Sequence, residues 1–382
     1  MNEAVAIAVA SPGGLGGQYH GPGTALAKVF RQAVADGGRV VALHGQGPNY
    51  RCDFGVQDCG NPLGVMQIPW ALRARRYLAS QRQQVALLQT ATLYTAPFLA
   101  ALAARSLGIP AFGRIAALGA DIRVPDWRRP TSLARLRRGL LDRLDGIVAL
   151  SSDIRQELLD AGMAAHKIFL IPNAVDTEVF RPASADERAA LRAQLGLDDT
   201  FLVAGCGGVI PRKGVKEAVE AVGRLTARSG RRLTLLWIGP VSDNTYPEAV
   251  AALAGEMGIA DRVKLVGYQS DPSPWLRAAD AFVLPSANEG MPNALIEAMA
   301  CGLPVLVTPV SGARDVVRGG DNGILIDRDP ATISAALERL MDDPAMRVRL
   351  GEKAVRNITE RYTSRQIWHM YRDMYRSCGV KL

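Results

Sequence analysis

Two doubly wound α/β domains in tandem are the architecture this sequence predicts, and three observations predict it. Short apolar runs of strand length alternate with longer stretches of helical spacing almost throughout the 382 residues. The alternation breaks near residue 173 and restarts near residue 200. Each half opens the same way, with a strand, a glycine-rich turn and a helix. Such β–α alternation builds parallel sheets covered by helices on both faces. The length also suits two domains of about 150 residues or more each.

Taken in order, Val5-Ala6-Ile7-Ala8-Val9 predicts the first buried strand. A turn through Gly13, Gly14, Gly16 and Gly17 follows, then a helix from Gly23 to Asp36. Arg39–Leu43, Val85–Gln89, Gly146–Leu150 and Ile168–Ile171 are the later strands of this half. Residues 173 to 199, with Pro182 and a polar Ala-Ser-Ala-Asp-Glu stretch, read as the hinge. The second half runs through strands at Phe201–Ala204, Leu233–Ile238, Val263–Val266, Ala281–Leu284 and Val305–Val307, with a helix over Val215–Arg228. A last helix over Ser364–Ser377 carries Ile367, Met370, Tyr371, Met374 and Tyr375 on one face, a core-packing pattern. The expected domains are therefore residues 1–172, residues 173–363, and a C-terminal helix over 364–382 that returns toward the first domain.

Composition narrows the class. Nearly half of the residues are hydrophobic and about a fifth are charged, as in ordinary folded proteins. No apolar run approaches the about 20 residues needed to span a bilayer. Met1–Ala10 has Glu3 and no basic cluster, so it reads as a strand rather than a signal peptide. Cys52, Cys59, Cys206, Cys301 and Cys378 are dispersed and odd in number, which points to a reducing cytoplasm and not to a disulfide framework. They complete no zinc set with His44, so no metal is expected.

The net charge of +8 is placed unevenly. Residues 1–172 hold 19 Lys and Arg against 11 Asp and Glu, whereas residues 173–382 hold 26 of each sign. Between Arg123 and Arg143, Leu133, Leu136, Leu140, Leu141 and Leu144 recur at helical spacing among arginines. That pattern fits either a solvated helix face or a basic amphipathic helix at an anionic membrane or acceptor. Aromatics are sparse there, which disfavours nucleic acid.

Two segments carry the chemistry. Ser286–Pro304 follows a strand and contains Glu289, Gly290, Met291, Pro292, Asn293, Ala294 and Glu297. Pro292 suits the first position of a helix, and Gly302 with Pro304 stops it about three turns later. The helix N-terminus then presents backbone N–H groups and a positive dipole end to an anion such as a diphosphate. Glu289 in the loop and Glu297 in the helix suit sugar and ribose hydroxyls, since a carboxylate accepts several hydrogen bonds. The second segment, Gly205–Gly214, combines Gly207 and Gly208 with Arg212 and Lys213. Glycines admit a ligand close to the backbone, and the two cations stabilise charge growing on a leaving diphosphate.

These residues resemble the glycosyltransferase family 4 (group 1) proteins of the GT-B fold. The resemblance is carried by the E-x7-E pattern of Glu289 and Glu297 with the following Ala-Met-Ala-Cys-Gly-x-Pro. It extends to Ile171–Pro182, Ser311-Gly312, Asn322-Gly323 and Asp145–Ser151. It is close from Gly146 onward and mainly topological before that. It implies two Rossmann-like domains facing across a cleft. It also implies a retaining, metal-independent transfer from a nucleoside diphosphate sugar, with UDP-sugar favoured over GDP-sugar and no further cofactor. In that picture Glu289 contacts the sugar, Glu297 the ribose and Lys213 the diphosphate, and the backbone from Gly290 to Ala294 also holds phosphate. The base sits near Gly239 and Gly267-Tyr268, and the first loop, through Gly16 and Gly17, approaches the phosphates. The acceptor is a glycan, a lipid-linked sugar or a small molecule. Apart from the resemblance, the dispersed cysteines make a cytoplasmic protein the expectation, and the basic first half adds peripheral contact with the inner face of the membrane to it.

Two departures stand out. The family usually has an arginine five residues before the lysine, and Gly208 occupies that position, so Arg212 is the candidate substitute. The family's acceptor-side histidine has no counterpart in Ile109–Asp121, leaving His20 and Asp121 as candidates for acceptor or catalytic work. Three rival readings remain. An epimerase or hydrolase of the same fold would need other cleft acids. A dehydrogenase would need G-x-G-x-x-G and an acid after the second strand, where His44 and Gly45 stand. A catalytically silent nucleotide-sugar-binding protein is the third.

Overall fold

The structure is a computed structural model that describes residues 6–15, 21–47, 50, 52–60, 66–116, 139–241 and 245–382. The chain divides into two compact units, Met1–Ala174 with Ser364–Leu382, and Val175–Thr363.

The first unit contains β1 (Ala6–Ala10), α1 (Gly21–Ala35), β2 (Arg39–His44), β3 (Gly55–Asp58), α2 (Gln67–Ser80) and β4 (Val85–Thr90). It continues with α3 (Thr95–Ser106), β5 (Ala111–Ile115), β6 (Gly146–Ala149), α4 (Ser152–Asp160) and β7 (Ile168–Leu170). The described strands form one parallel sheet in the order β3-β2-β1-β4-β5-β6-β7. β1 is buried along its whole length, as strands covered on both faces must be.

The second unit opens with α5 (Ala185–Gln194), β8 (Phe201–Cys206), α6 (Val215–Ser229), β9 (Leu233–Ile238), α7 (Thr245–Glu256) and β10 (Val263–Gly267). Next come α8 (Ser273–Ala278), β11 (Ala281–Leu284), α9 (Asn293–Ala300), β12 (Val305–Val307), α10 (Ala313–Val316) and β13 (Ile324–Leu325). α11 (Pro330–Asp342) and α12 (Pro344–Arg361) complete it. Its sheet is parallel in the order β10-β9-β8-β11-β12-β13. Val203, Leu235, Trp237, Val283 and Leu306 pack against Val219, Val222, Ile333 and Leu337 of the flanking helices. In both sheets the strand order reverses beside the unit's opening strand, between β1 and β4 and between β8 and β11. Ligands of such sheets bind beyond the strand ends at that reversal.

The last helix, α13 (Ser364–Ser377), belongs to the first unit. Ile367, Trp368, Tyr371, Met374 and Tyr375 are buried. The Tyr375 hydroxyl donates to Gln89 at 2.9 Å, and the Trp368 indole donates to Asp36 at 2.9 Å. One expectation needs correction: Met370 points outward and Trp368 takes its place in the packed face, beside Phe30. At about 100° per residue, Trp368 lies nearer than Met370 to the middle of the face set by Ile367, Tyr371, Met374 and Tyr375.

The polar stretch after Asn173, read as an interruption, holds α5. Ser184 caps the Glu187 N–H while Glu187 reaches back to the Ser184 N–H, a reciprocal capping box. The Arg188 and Arg192 side chains then clasp Asp280 at 3.0 and 2.7 Å.

At the end of β2, His44 is buried with its ring 4.5 Å from that of Tyr50. Burial pushes the His44 imidazole down, against the opposing pull of Asp58. A base with a depressed native pKa is neutral in the fold and gains its proton first in the unfolded chain. Its stabilising contribution is therefore whole above the ordinary value of about 6.5 and is lost as pH falls below it. His44→Asn keeps an acceptor for the Gln46 N–H that His44 Nδ1 now accepts at 3.2 Å. Between about pH 7 and about pH 5 the melting temperature of wild type should fall more steeply than that of His44→Asn. Parallel profiles would refute the neutral buried imidazole.

Candidate functional site

The site of the second unit is built from the two loops at its strand reversal. β8 ends in Cys206, and Gly207 turns the chain with its N–H on the Ile238 carbonyl. Gly207 touches Gly239: a methyl group on Gly239 would lie 2.2 Å from the Gly207 carbonyl oxygen. That carbonyl also accepts the Trp237 indole N–H at 2.9 Å. A single helical turn, Pro211–Lys213, follows and is ended by Gly214 in the left-handed conformation.

The second loop leaves β11 at Pro285. It is stitched to the first at several points. The Ala287 N–H donates to the Arg212 carbonyl at 2.8 Å, and the Arg212 guanidinium donates to the Asn288 carbonyl at 2.6 Å. Lys213 Nζ lies 2.6 Å from Glu289 Oε1, with the two side chains only 13% and 10% exposed. Arg212 approaches the same oxygen at 3.2 Å from a half-exposed position. The aliphatic part of Lys213 rests on Gly207, where any side chain would displace it. Thr308 supports the loop from β12 by donating to the Ser286 carbonyl at 2.6 Å.

Burial acts to raise the Glu289 carboxyl. The charge and hydrogen bond of Lys213, with the charge of Arg212, outweigh it and hold the group below the usual range. Glu289 is therefore an anion at neutral pH. Two cations on one carboxylate leave local positive charge in excess.

α9 begins three residues after Gly290. Pro292 is its N-cap and not, as expected, its first helical residue, and the helix is two turns long rather than three. The cause is Pro292 ψ of 114°, which is extended rather than helical. The proline ring caps nothing, and no acid stands in the first turn. The positive end of α9 is thus uncompensated by a side chain of its own. Gly312 is packed against Gly290 and Met291, which holds this approach to the helix in place. Asn293 and Ala294 form the start of α9, and Glu297 lies in its second turn, 8% exposed.

Of the other expected residues, Gly239 faces Gly207 at the mouth of β9, and Tyr268 follows β10 and is about one-third exposed. A side chain at Gly208 would meet only ordinary contacts, so the position is glycine without steric need. Gly16, Gly17, His20, Asp121 and the arginines from 123 to 138 lie outside the described residues.

Two residues went unread in the sequence. Arg328 pairs with Glu217 at 2.6 Å and donates to the Pro211 carbonyl, which fixes the Arg212–Lys213 turn. In the first unit Arg114 is buried at the end of β5. Its guanidinium donates to the Ala91 carbonyl at 2.9 Å and to Asn173 Oδ1. An arginine inside an otherwise apolar strand, Ala111–Ile115, was the available signal, because arginine is almost never fully buried without partners.

Comparison with known proteins adds lineage to this geometry. The family described as Glycosyl transferases group 1 matches residues 200–343, and the one described as Glycosyltransferase Family 4 matches residues 21–179. A D-inositol 3-phosphate glycosyltransferase of Thermomonospora curvata is 34% identical over 226 residues, 56% of this chain and 52% of that protein. The chain spans about half the length of several such relatives. The lipopolysaccharide core biosynthesis glycosyltransferase LpsE of Rhizobium meliloti is 30% identical over 66% of this chain and 72% of its own. Among solved structures, Anabaena HepE in complex with UDP and glucose matches with a TM-score of 0.80 at 19% identity. The match covers 98% of this chain and all of that one. Sucrose-phosphate synthase from Thermosynechococcus elongatus matches at 0.80 and 21%, covering 98% of each chain. At such identities these two speak for the fold alone.

Proposed function

The chain belongs to the group 1 glycosyltransferases of family 4, with the GT-B fold, and from that premise we propose that it moves a sugar from a nucleoside diphosphate sugar to an acceptor hydroxyl. The observation that carries this reading is the 2.6 Å Lys213–Glu289 pair beside an uncapped helix N-terminus at the β8/β11 reversal. Cations and helix-end amides converge where a diphosphate can sit. A UDP-sugar is the favoured donor.

In this reading the bond between the sugar's anomeric carbon and the diphosphate oxygen breaks. Lys213, Arg212 and the start of α9 at Asn293 and Ala294 take up the charge that grows on the leaving group. Lys213 turns from Glu289 toward the phosphate, and Glu289, kept ionised, accepts hydrogen bonds from sugar hydroxyls. Glu297 holds the ribose. The acceptor oxygen bonds to the anomeric carbon, and its proton passes to the departing phosphate oxygen. No separate protein base is then required, and transfer proceeds with retention and without a metal. The acceptor is a glycan, a lipid-linked sugar or a small molecule. The excess positive charge of residues 1–172 suits an anionic one, as is the D-inositol 3-phosphate in the relatives' name.

The test is turnover of UDP-sugars with and without an acceptor panel, with the anomeric product read by NMR. The proposal expects slow donor hydrolysis alone, faster turnover with an acceptor, and retained configuration. Full turnover of donor alone would favour an epimerase or hydrolase. Donor binding with no turnover under any acceptor would favour a silent binding protein.

A further inference from the structure

Ser286 stands at the exit of β11, three residues before Glu289 on the same loop. It is 1% exposed, and its Oγ is buried with no hydrogen-bond partner among the described residues. A buried hydroxyl left unpaired is destabilising, because the hydrogen bonds it made to water are not replaced. Such groups are rare in native proteins and ask for a reason.

The backbone at Ser286 is pinned. Its carbonyl accepts from Thr308 at 2.6 Å, and the next N–H, that of Ala287, is held by the Arg212 carbonyl at 2.8 Å. Only the hydroxyl is left to turn, about the side chain's own bonds. It stands near the Glu289 carboxylate without a formed hydrogen bond. Burial raises that carboxyl, Lys213 and then Arg212 pull it down, and Ser286 adds a smaller pull in the same direction.

In the proposed function, on which this step rests, Lys213 leaves Glu289 for the diphosphate. Glu289 then loses the ammonium now 2.6 Å away and gains an anion nearby. Both changes favour the protonated carboxyl, as burial does. The charged groups paired with Glu289 among the described residues are Lys213 and Arg212, both of the Pro211–Lys213 turn. With the lysine gone, the half-exposed Arg212 at 3.2 Å is left. A protonated Glu289 accepts fewer hydrogen bonds from sugar hydroxyls.

We propose that Ser286 is a positioning residue for Glu289: as Lys213 turns to the diphosphate, the Ser286 hydroxyl donates to the carboxylate in its place and keeps it aimed at the sugar. The hydroxyl that has no partner beside the Lys213–Glu289 pair gains one when that pair opens. Hydrogen bonding to the ionised form holds Glu289 as an anion through the exchange.

The test is calorimetric titration of UDP-glucose and UDP-N-acetylglucosamine into wild type, Ser286→Ala and Ser286→Cys from about pH 8 to about pH 5.5, with thermal melts of all three. Ser286→Ala removes an unpaired group, so it should melt no lower than wild type. At about pH 8 it should bind donor about tenfold more weakly, the worth of a hydrogen bond to a charged group. The deficit should shrink as pH falls, because Glu289 in the variant's complex takes up a proton at higher pH than in wild type. Ser286→Cys fills the space with a weak donor and should follow the alanine variant. Equal affinities of wild type and Ser286→Ala at every pH would overturn the inference. So would a deficit that does not change with pH, or one that comes with a lowered melting temperature, since the serine would then merely support the loop. Wild-type affinity in Ser286→Cys would overturn it as well, in favour of a space-filling role. Binding of neither donor by wild type would sink the proposed function and this inference together, a result distinct from all the others.

Discussion

Lys213→Ala should lower kcat/KM by about 100-fold to 1,000-fold, the range seen when one preorganised stabiliser of a developing anion is removed. The loss should fall mainly on kcat, because charge on the diphosphate is greatest in the transition state. Stability should suffer too. Lys213 and Glu289 are both largely shielded from water, and truncating the lysine leaves a buried carboxylate with only the half-exposed Arg212 nearby. Breaking such a pair fully costs about 3–5 kcal/mol, so with Arg212 remaining a loss of about 1–3 kcal/mol is expected. Without Lys213, the largest opposing influence, burial should carry the Glu289 carboxyl upward from its present low position. Steady-state kinetics and thermal melts would check both halves. Wild-type kcat/KM would remove Lys213 from the phosphate role.

Gly214→Ala should be nearly as damaging, by geometry rather than charge. Gly214 has φ of 75° and ψ of 32°, and it both ends the Arg212–Lys213 turn and starts α6. A left-handed alanine costs about 1–2 kcal/mol on its own. Here the added methyl would also lie 2.2 Å from the Pro285 carbonyl oxygen, a backbone atom at the exit of β11. The collision must push the two site loops apart, and with them Lys213 from Glu289. We expect about 3 kcal/mol or more of destabilisation and a loss of UDP-sugar affinity well beyond tenfold. An alanine variant that melts with wild type and binds donor equally would show that the two loops are not locked at this point.

The sequence was most legible where strands are fully buried. Leu233–Ile238, Ala281–Leu284 and Val305–Val307 are continuous apolar runs, and the structure has strands at those residues. β3, β5 and β13 escaped because the pattern fails there for physical reasons. β3 is a sheet-edge strand with one apolar residue, Val56, and that residue is exposed. β5 is interrupted by Gly113 and Arg114, and β13 is two residues long. α5 announced itself only through Ser184 and Glu187, a capping box inside a polar stretch.

The candidate site was legible in kind but not in contact. A glycine loop with Arg212 and Lys213, and a helix start after Glu289, are local features of the chain. That Lys213 meets Glu289, 76 residues away, follows from β8 and β11 being neighbours in the sheet, which no local pattern encodes. Arg328 lies 117 residues from the Pro211 carbonyl it holds, and it was invisible for the same reason.

Calorimetric titration of UDP into wild type and Lys213→Ala reads the diphosphate site without acceptor or turnover. Wild type should show saturable one-site binding, and the variant an affinity weaker by about tenfold or more. Equal affinity in the two proteins, or no UDP binding by wild type, would contradict a diphosphate site at Lys213 and the start of α9.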